Sequence, residues 1–255
     1  MWNKKLKAAG CAALALAVGS VVAETATEQD LPDARSLIER HIEALGGREA
    51  ILAHSEGTAK GEFSMPAVGI TGTLMVASRP PAEQVVHIEL PGMGEMQTGF
   101  SPELAWSVDP FMGPRLIEGE EFDSLLESTV PAAVMRDPEY VLSATTVEQA
   151  EFLDQACYRV RLEWRSGRET HDCYALETGL LIATQSLEKS PMGEMEALTL
   201  LDEYREMEGF LVPTVTRLYI MGQEQVMTLT EFSLDAPDPA LFERPPPIQT
   251  LLEDR

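Results

Sequence analysis

Residues 157–176, CYRVRLEWRSGRETHDCYAL, decide the fold class. Tyr158, Val160, Leu162 and Trp164 alternate with Cys157, Arg159, Arg161 and Glu163, so an apolar face opposes a polar one with a period of two. Arg165-Ser166-Gly167 supplies a turn and residues 168–176 return, which makes the stretch a β-hairpin. Cys157 lies on the polar face, and in the return strand Cys173 shares its face with His171, opposite Tyr174 and Leu176. In an exported protein these two cysteines are a candidate disulfide on the outer side. The register is open. A three-residue turn centred on Arg165 sets them directly opposite, whereas a turn ending on Gly167 offsets them by two residues, about 7 Å or more and beyond bridging reach.

The same period recurs outward from this hairpin. Residues 61–65, 72–77, 84–90, 97–100 and 104–108 read as strands before it, and 180–187, 195–204, 214–221 and 225–232 after it. Helical spacing is confined to two places. Leu37, Ile38, His41, Ile42 and Leu45 form one stripe, with Asp30 as N-cap, Pro32 in the first turn, Asp33 near the positive end of the dipole and Gly46-Gly47 as the stop. Residues 48–54 add a further turn or two, with Ile51 and Leu52 inward. Between residues 119 and 140, segments 120–126 and 131–135 read as two short helices, and residues 237–247 as a proline-rich extended tail. This order predicts a mainly β (α+β) fold, a sheet wrapped around a few helices.

At the N-terminus Lys4, Lys5 and Lys7 precede an apolar run of small residues over 8–22, too short to span a bilayer comfortably, and Val21-Val22-Ala23 fits a signal-peptidase site. Residues 1–23 are therefore expected to be a cleaved signal peptide and 24–255 a single exported domain, in a periplasm or outside the cell. The alternative is lipid anchoring at Cys11, because Ala8-Ala9-Gly10-Cys11 looks like a lipobox; against it, the apolar run continues past the cysteine. The formal net charge of −23, to which the leader contributes only cations, argues against nucleic-acid partners and anionic headgroups, since both are bound through Lys and Arg.

Chemistry-bearing motifs are sparse. The four histidines, His41, His54, His87 and His171, form no His-Glu-x-x-His zinc motif, and His41 falls on a helical stripe as a core or boundary histidine would. A nucleophile elbow and a phosphate-cradling loop are both missing, so no catalytic residue, metal or cofactor is expected, a hydrolase being the weaker alternative. Three gaps between strands, residues 91–96, 191–195 and 221–224, share Met and Gly. They read as hairpin turns, as methionines rimming an apolar cavity, or as soft Cu(I) ligands.

Several fragments together resemble the periplasmic lipoprotein-carrier (LolA/LolB-like) superfamily: Gly72-Thr73-Leu74-Met75-Val76-Ala77-Ser78-Arg79-Pro80, Leu104-Ala105-Trp106-Ser107-Val108-Asp109-Pro110-Phe111, and Leu241-Phe242-Glu243-Arg244-Pro245-Pro246. Asp202-Glu203-Tyr204 through Pro213 adds a strand-turn pattern of less characterised relatives. The resemblance implies a curved, incomplete antiparallel β-barrel, with an N-terminal helix and a short helical insert covering its concave, apolar face. It also implies that Arg79 holds the covering helices. One more residue separates Gly72 from Arg79 than in the family pattern, however, and a one-residue slip flips a strand's faces.

An apolar hollow not filled by its own chain would take an acyl chain at about 0.8 kcal/mol per buried CH₂. Its expected lining is Leu74, Val76, Val86, Ile88, Leu90, Trp106, Val108, Val160, Leu162 and Trp164, with Arg79, Phe122, Leu125 and Leu126 as lid and gate. The function expected is non-catalytic binding or transport of an acyl chain, lipoprotein or other hydrophobic ligand in outer-membrane biogenesis, by a monomer with envelope transport partners. The alternative is an envelope sensor or interaction module for lipidated or unfolded proteins.

Overall fold

The computed structural model describes residues 31–53, 56–80, 82–131, 134–152, 154–190 and 193–254. The expected leader, its cleavage site and Cys11 lie outside them. Among the described residues no helix is long and apolar enough to cross a membrane.

Two helices open the domain. α1 (Ala34–Leu45) is capped by Asp33, whose carboxylate accepts from the Ser36 N–H at 2.9 Å, and it ends at Gly46. The cap is thus Asp33 rather than Asp30, and Pro32 stands before the helix, where its carbonyl accepts from Thr146 Oγ1 at 2.7 Å. The stripe Leu37, Ile38, His41, Ile42 and Leu45 is buried, as its spacing requires. α2 (Arg48–Ala53) follows.

The remainder is one sheet of thirteen strands, every neighbouring pair antiparallel. A first arm contains β1 (Gly57–Met65), β2 (Ile70–Arg79), β3 (Glu83–Leu90), β4 (Gly94–Ser101), β5 (Leu104–Asp109) and β6 (Gly113–Ile117). After α3 (Glu120–Thr129), a second arm contains β7 (Val141–Phe152), β8 (Gln155–Trp164), β9 (Glu169–Ala175), β10 (Leu181–Ser190), β11 (Gly193–Met207), β12 (Phe210–Ile220) and β13 (Gln223–Ser233). Each arm is a meander, and β1 pairs with β13 to join them, leaving β6 and β7 as free edges. A 3-10 turn (Pro239–Phe242) and α4 (Pro246–Glu253) close the chain.

The packing of α3 shows that the sheet curls. This helix of 10 residues touches both β4 and β10, which stand seven strand positions apart. On a flat sheet those strands would be roughly 34 Å apart, against about 15 Å for the helix. The sheet is therefore strongly curved around α3 but not closed, and bulges in β1, β7 and β10 help it bend. Phe100, Ala105 and Ile117 meet Phe122, Leu125 and Leu126 of α3 on this concave side, while Val160, Leu162, Trp164 and Tyr174 pack beneath α1.

Several expectations are corrected. The second short helix is a turn, with Val134 and Met135 both donating to the Pro131 carbonyl at 2.9 Å. β6, with Pro114 and Arg115 inside it, carried too little alternation to be recognised. The tail is not simply extended: Pro246 and Pro247 start α4, where a missing N–H costs no helical bond, and Ile248 is fully buried against the first arm.

In the cysteine hairpin Gly167 takes φ +86° and closes the turn, so Cys157 stands opposite Ala175 and is offset from Cys173 by two residues. The two are nonetheless bridged, with Cα atoms 5.5 Å apart. A right-handed strand twist shortens one diagonal of an antiparallel pair and lengthens the other, and this pair lies on the short one. The Met- and Gly-containing gaps between β3 and β4 and between β12 and β13 are hairpin turns. Met93 and Met221 are exposed there, and Met192 lies outside the described residues.

Candidate functional site

Strand alternation gives each arm a different concave face. In the first arm Leu74, Ile88 and Leu90 pack with Phe63, Met65, Ile70 and Met96, together with half-buried Val76 and Val86. In the second arm the inward positions include short polar residues that pair with one another, Thr170 opposite Ser186 and Thr184 between Asp172 and Thr199, with Thr216 opposite Leu201. Over these short side chains lies a cavity of about 780 Å³. Leu45 of α1, Ile51 of α2, Met135, Trp164, Leu181, Leu201, Phe210, Val212 and Met227 make its apolar wall. The volume falls within the range of small-molecule sites. Grooves of about 730 and 760 Å³ on the outer face mix charged groups, among them Arg159, Glu196 and Lys60, with apolar ones such as Leu198, Met75 and Phe232.

A charged pair sits within this apolar surround. Arg136 Nε donates to Asp172 Oδ2 at 2.5 Å, with the two side chains 9% and 0% exposed. Tyr174 Oη donates to the same oxygen at 3.1 Å and Thr184 Oγ1 to Oδ1 at 2.8 Å, so three donors serve the carboxylate. A buried carboxylate is tolerated when a paired cation and further donors meet its oxygens in this way. Burial opposes the charge on Arg136, but the adjacent Asp172 overrides it and holds the guanidinium protonated. Burial, followed by the nearby Asp172, raises the Tyr174 hydroxyl well above its ordinary value.

Arg136 is held in place from the helical side. Arg35 of α1 donates to the Arg136 carbonyl and, at 3.1 Å, to that of Val141; Arg48 binds Asp137 at 2.8 Å. His41 accepts the Leu181 N–H on Nδ1 at 3.2 Å, which puts its proton on Nε2. Burial, aided by the Arg136 charge, lowers its pKa to about 3, so the ring is neutral at ordinary pH. Trp164 Nε1 donates to Thr170 Oγ1 at 2.9 Å, and Tyr204 Oη to the Leu181 carbonyl at 2.6 Å.

α3 spans the two arms. At its start Glu121 binds Arg115 of β6 at 2.5 and 2.8 Å. At its end Glu127 accepts from Ser166 at 2.5 Å and pairs with Arg168 at 3.0 Å, both on the β8–β9 turn. Burial raises the pKa of Glu127 above the usual carboxylate value.

The residues expected from sequence are distributed over three places. Trp164 lines the cavity. Val160 and Leu162 are wholly buried beneath α1, and Leu74, Val76, Val86, Ile88 and Leu90 form the packed cluster of the first arm. Trp106 and Val108 face the other way: the Trp106 indole lies across Gly99, where a Cβ would meet it at 2.3 Å, on the opposite side from Phe100. Arg79 shares that outer face through an uninterrupted register with β3, binding Glu83 at 2.6 Å and stacking 4.0 Å over Phe242. No bulge restores its parity, so it does not meet α3. Phe122, Leu125 and Leu126 do cover the concave side. Sequence reading missed Asp172, Arg136 and Tyr204. The alternation that put Cys173 outside already put Asp172 inside, whereas Arg136, in a turn, carried no pattern.

No family profile and no curated protein matches the sequence. Solved structures do. A LolA superfamily protein from Nitrosomonas europaea matches with TM-score 0.54 at 13% identity, covering 84% of this chain and 99% of that one. The chain has a LolA-like fold. A DUF1329 family protein from Desulfovibrio piger matches it with TM-score 0.55 at 11% identity, over 84% of this chain and 98% of the other. A domain described as an outer membrane lipoprotein-sorting protein, from Vibrio parahaemolyticus, gives 0.53 at 8% identity, over 85% and 99%. Within this LolA-like fold, the open hollow lies against the second arm.

Proposed function

We propose that this protein is a non-catalytic, monomeric binder of an acyl chain or another long apolar molecule, acting in the cell envelope and exchanging cargo with envelope transport proteins. The observation that supports it is the cavity of about 780 Å³, walled by aliphatic and aromatic side chains and roofed by α1, α2 and α3. Water inside such a wall makes few hydrogen bonds, and each CH₂ that replaces it gains about 0.8 kcal/mol. The LolA-like fold agrees with this reading, as does the printed description of one neighbour as lipoprotein-sorting. α3 acts as the lid: Phe122, Leu125 and Leu126 seat it on the first arm, Glu127 and Ser128 reach the cavity, and its ties to Arg115 and Arg168 set how firmly it closes. The acidic surface keeps the loaded protein off anionic membranes until a partner takes the cargo.

Native mass spectrometry of the protein isolated from its host envelope tests the proposal. A retained acyl lipid or lipoprotein supports it. A protein that leaves the envelope carrying only peptide, and that takes up no acyl lipid when offered it, overturns it in favour of an interaction module.

A further inference from the structure

The polar groups at the cavity are unbalanced. Asp172 accepts from Arg136, Tyr174 and Thr184, so its acceptor capacity is engaged. The donors are not. Beyond Asp172, Arg136 reaches only the Met135 thioether, from Nη1 at 3.4 Å, and Nη2 has no hydrogen bond among the described residues. The Nε2–H of His41 has none there either, since Leu181 meets the opposite nitrogen. Both residues line the cavity, 8% and 4% exposed, and neither nitrogen is among the fully occluded unpaired atoms, so their residual surface opens into it.

Burying donors without acceptors is unfavourable, and a guest that supplies an acceptor removes the penalty. A carboxylate is a poor candidate, because both cations that line the cavity are already neutralised, Arg136 by Asp172 and Arg168 by Glu127. We infer that Arg136 and His41 form a polar anchor for an uncharged acceptor oxygen on the ligand, and that the cargo is an acyl ester whose carbonyl sits on these donors while its chain lies along the apolar wall. This rests on the binding reading above and narrows it from any greasy chain to a neutral acyl ester.

Two probes that differ by one carbonyl test it: monododecanoyl glycerol and 1-O-dodecyl glycerol, its ether analogue, titrated into the leaderless protein by calorimetry, with dodecanoate as a third arm. The ester should bind about tenfold more tightly than the ether, as one hydrogen bond from a charged donor implies. His41→Asn keeps an acceptor for Leu181, and Arg136→Met with Asp172→Asn removes the charge pair together. Each should shrink the ester-to-ether ratio towards one, and in the wild type a ¹³C-labelled ester carbonyl should move to lower infrared wavenumber on binding. Equal binding of ester and ether, or tightest binding of dodecanoate, overturns the anchor while leaving an apolar binder. Failure of all three probes to bind overturns both readings.

Discussion

The two arms of the sheet share a strand period and a concave side, yet one is filled and the other hollow. In the first arm Phe63, Leu74, Ile88 and Leu90 interdigitate, and Phe122 of α3 meets Phe100 with ring centroids 5.4 Å apart. In the second arm the corresponding rows carry Thr170, Thr184, Thr199 and Thr216, with Asp172 among them. α1 packs over one end only, on Val160, Leu162 and Tyr174. Alternation therefore establishes which side chains face inward, while their size and polarity establish whether the inside closes. Short hydroxyl residues at inward positions are the sequence mark of a hollow, more so than apolar residues.

The contrast can be broken most severely at the buried pair. Asp172→Ala leaves Arg136 charged without a partner and should cost about 3–5 kcal/mol of unfolding free energy, read by urea titration. Leu74→Ala, in the filled arm, should cost about 2–4 kcal/mol through the void it leaves, with acyl binding by the second arm retained.

Acidification acts on the hollow arm through His41. Its folded pKa, about 3, lies below the ordinary 6.5, so between those values the unfolded chain binds a proton that the folded one does not. Stability from this group is complete above pH 6.5 and declines as pH falls towards 3. The loss should reach about 2 kcal/mol at pH 5, measured as the difference between the wild type and His41→Asn, which does not titrate. The smallest effect on stability sharpens the contrast instead. Thr199→Leu with Thr216→Leu gives the second arm the inward residues of the first and should change stability by no more than about 1 kcal/mol. The same pair should weaken acyl binding about tenfold, as the lost volume displaces roughly two CH₂ groups.

Much of the architecture was legible because it rests on periodicity: alternation in the β-hairpin at Cys157 and the strands around Leu74 and Ile88, and helical spacing in the stripe from Leu37 to Leu45. Parity decided the rest. Five residues on from inward Leu74, Arg79 falls on the outer face against Glu83 and Phe242, and Trp106 and Val108 share that face. The reach of the disulfide depended on twist, which no count of residues contains. The cavity was expected along the most apolar strands, but apolar residues that fit together close a space rather than leave one. Arg136 was hidden because its partner, Asp172, lies 36 positions away, and only the folded sheet brings the two together.

Two tryptophans, Trp106 and Trp164, stand on opposite faces of the sheet, one on the outer side and one in the cavity wall. The most direct test of the account is quenching of each by a monoacylglycerol brominated in its chain, using Trp106→Phe and Trp164→Phe variants of residues 24–255, which exclude Trp2. Emission from Trp164 should fall on binding and emission from Trp106 should not. Quenching of Trp106 alone, or of neither at a probe concentration that saturates the wild type, would contradict a guest lodged against the second arm.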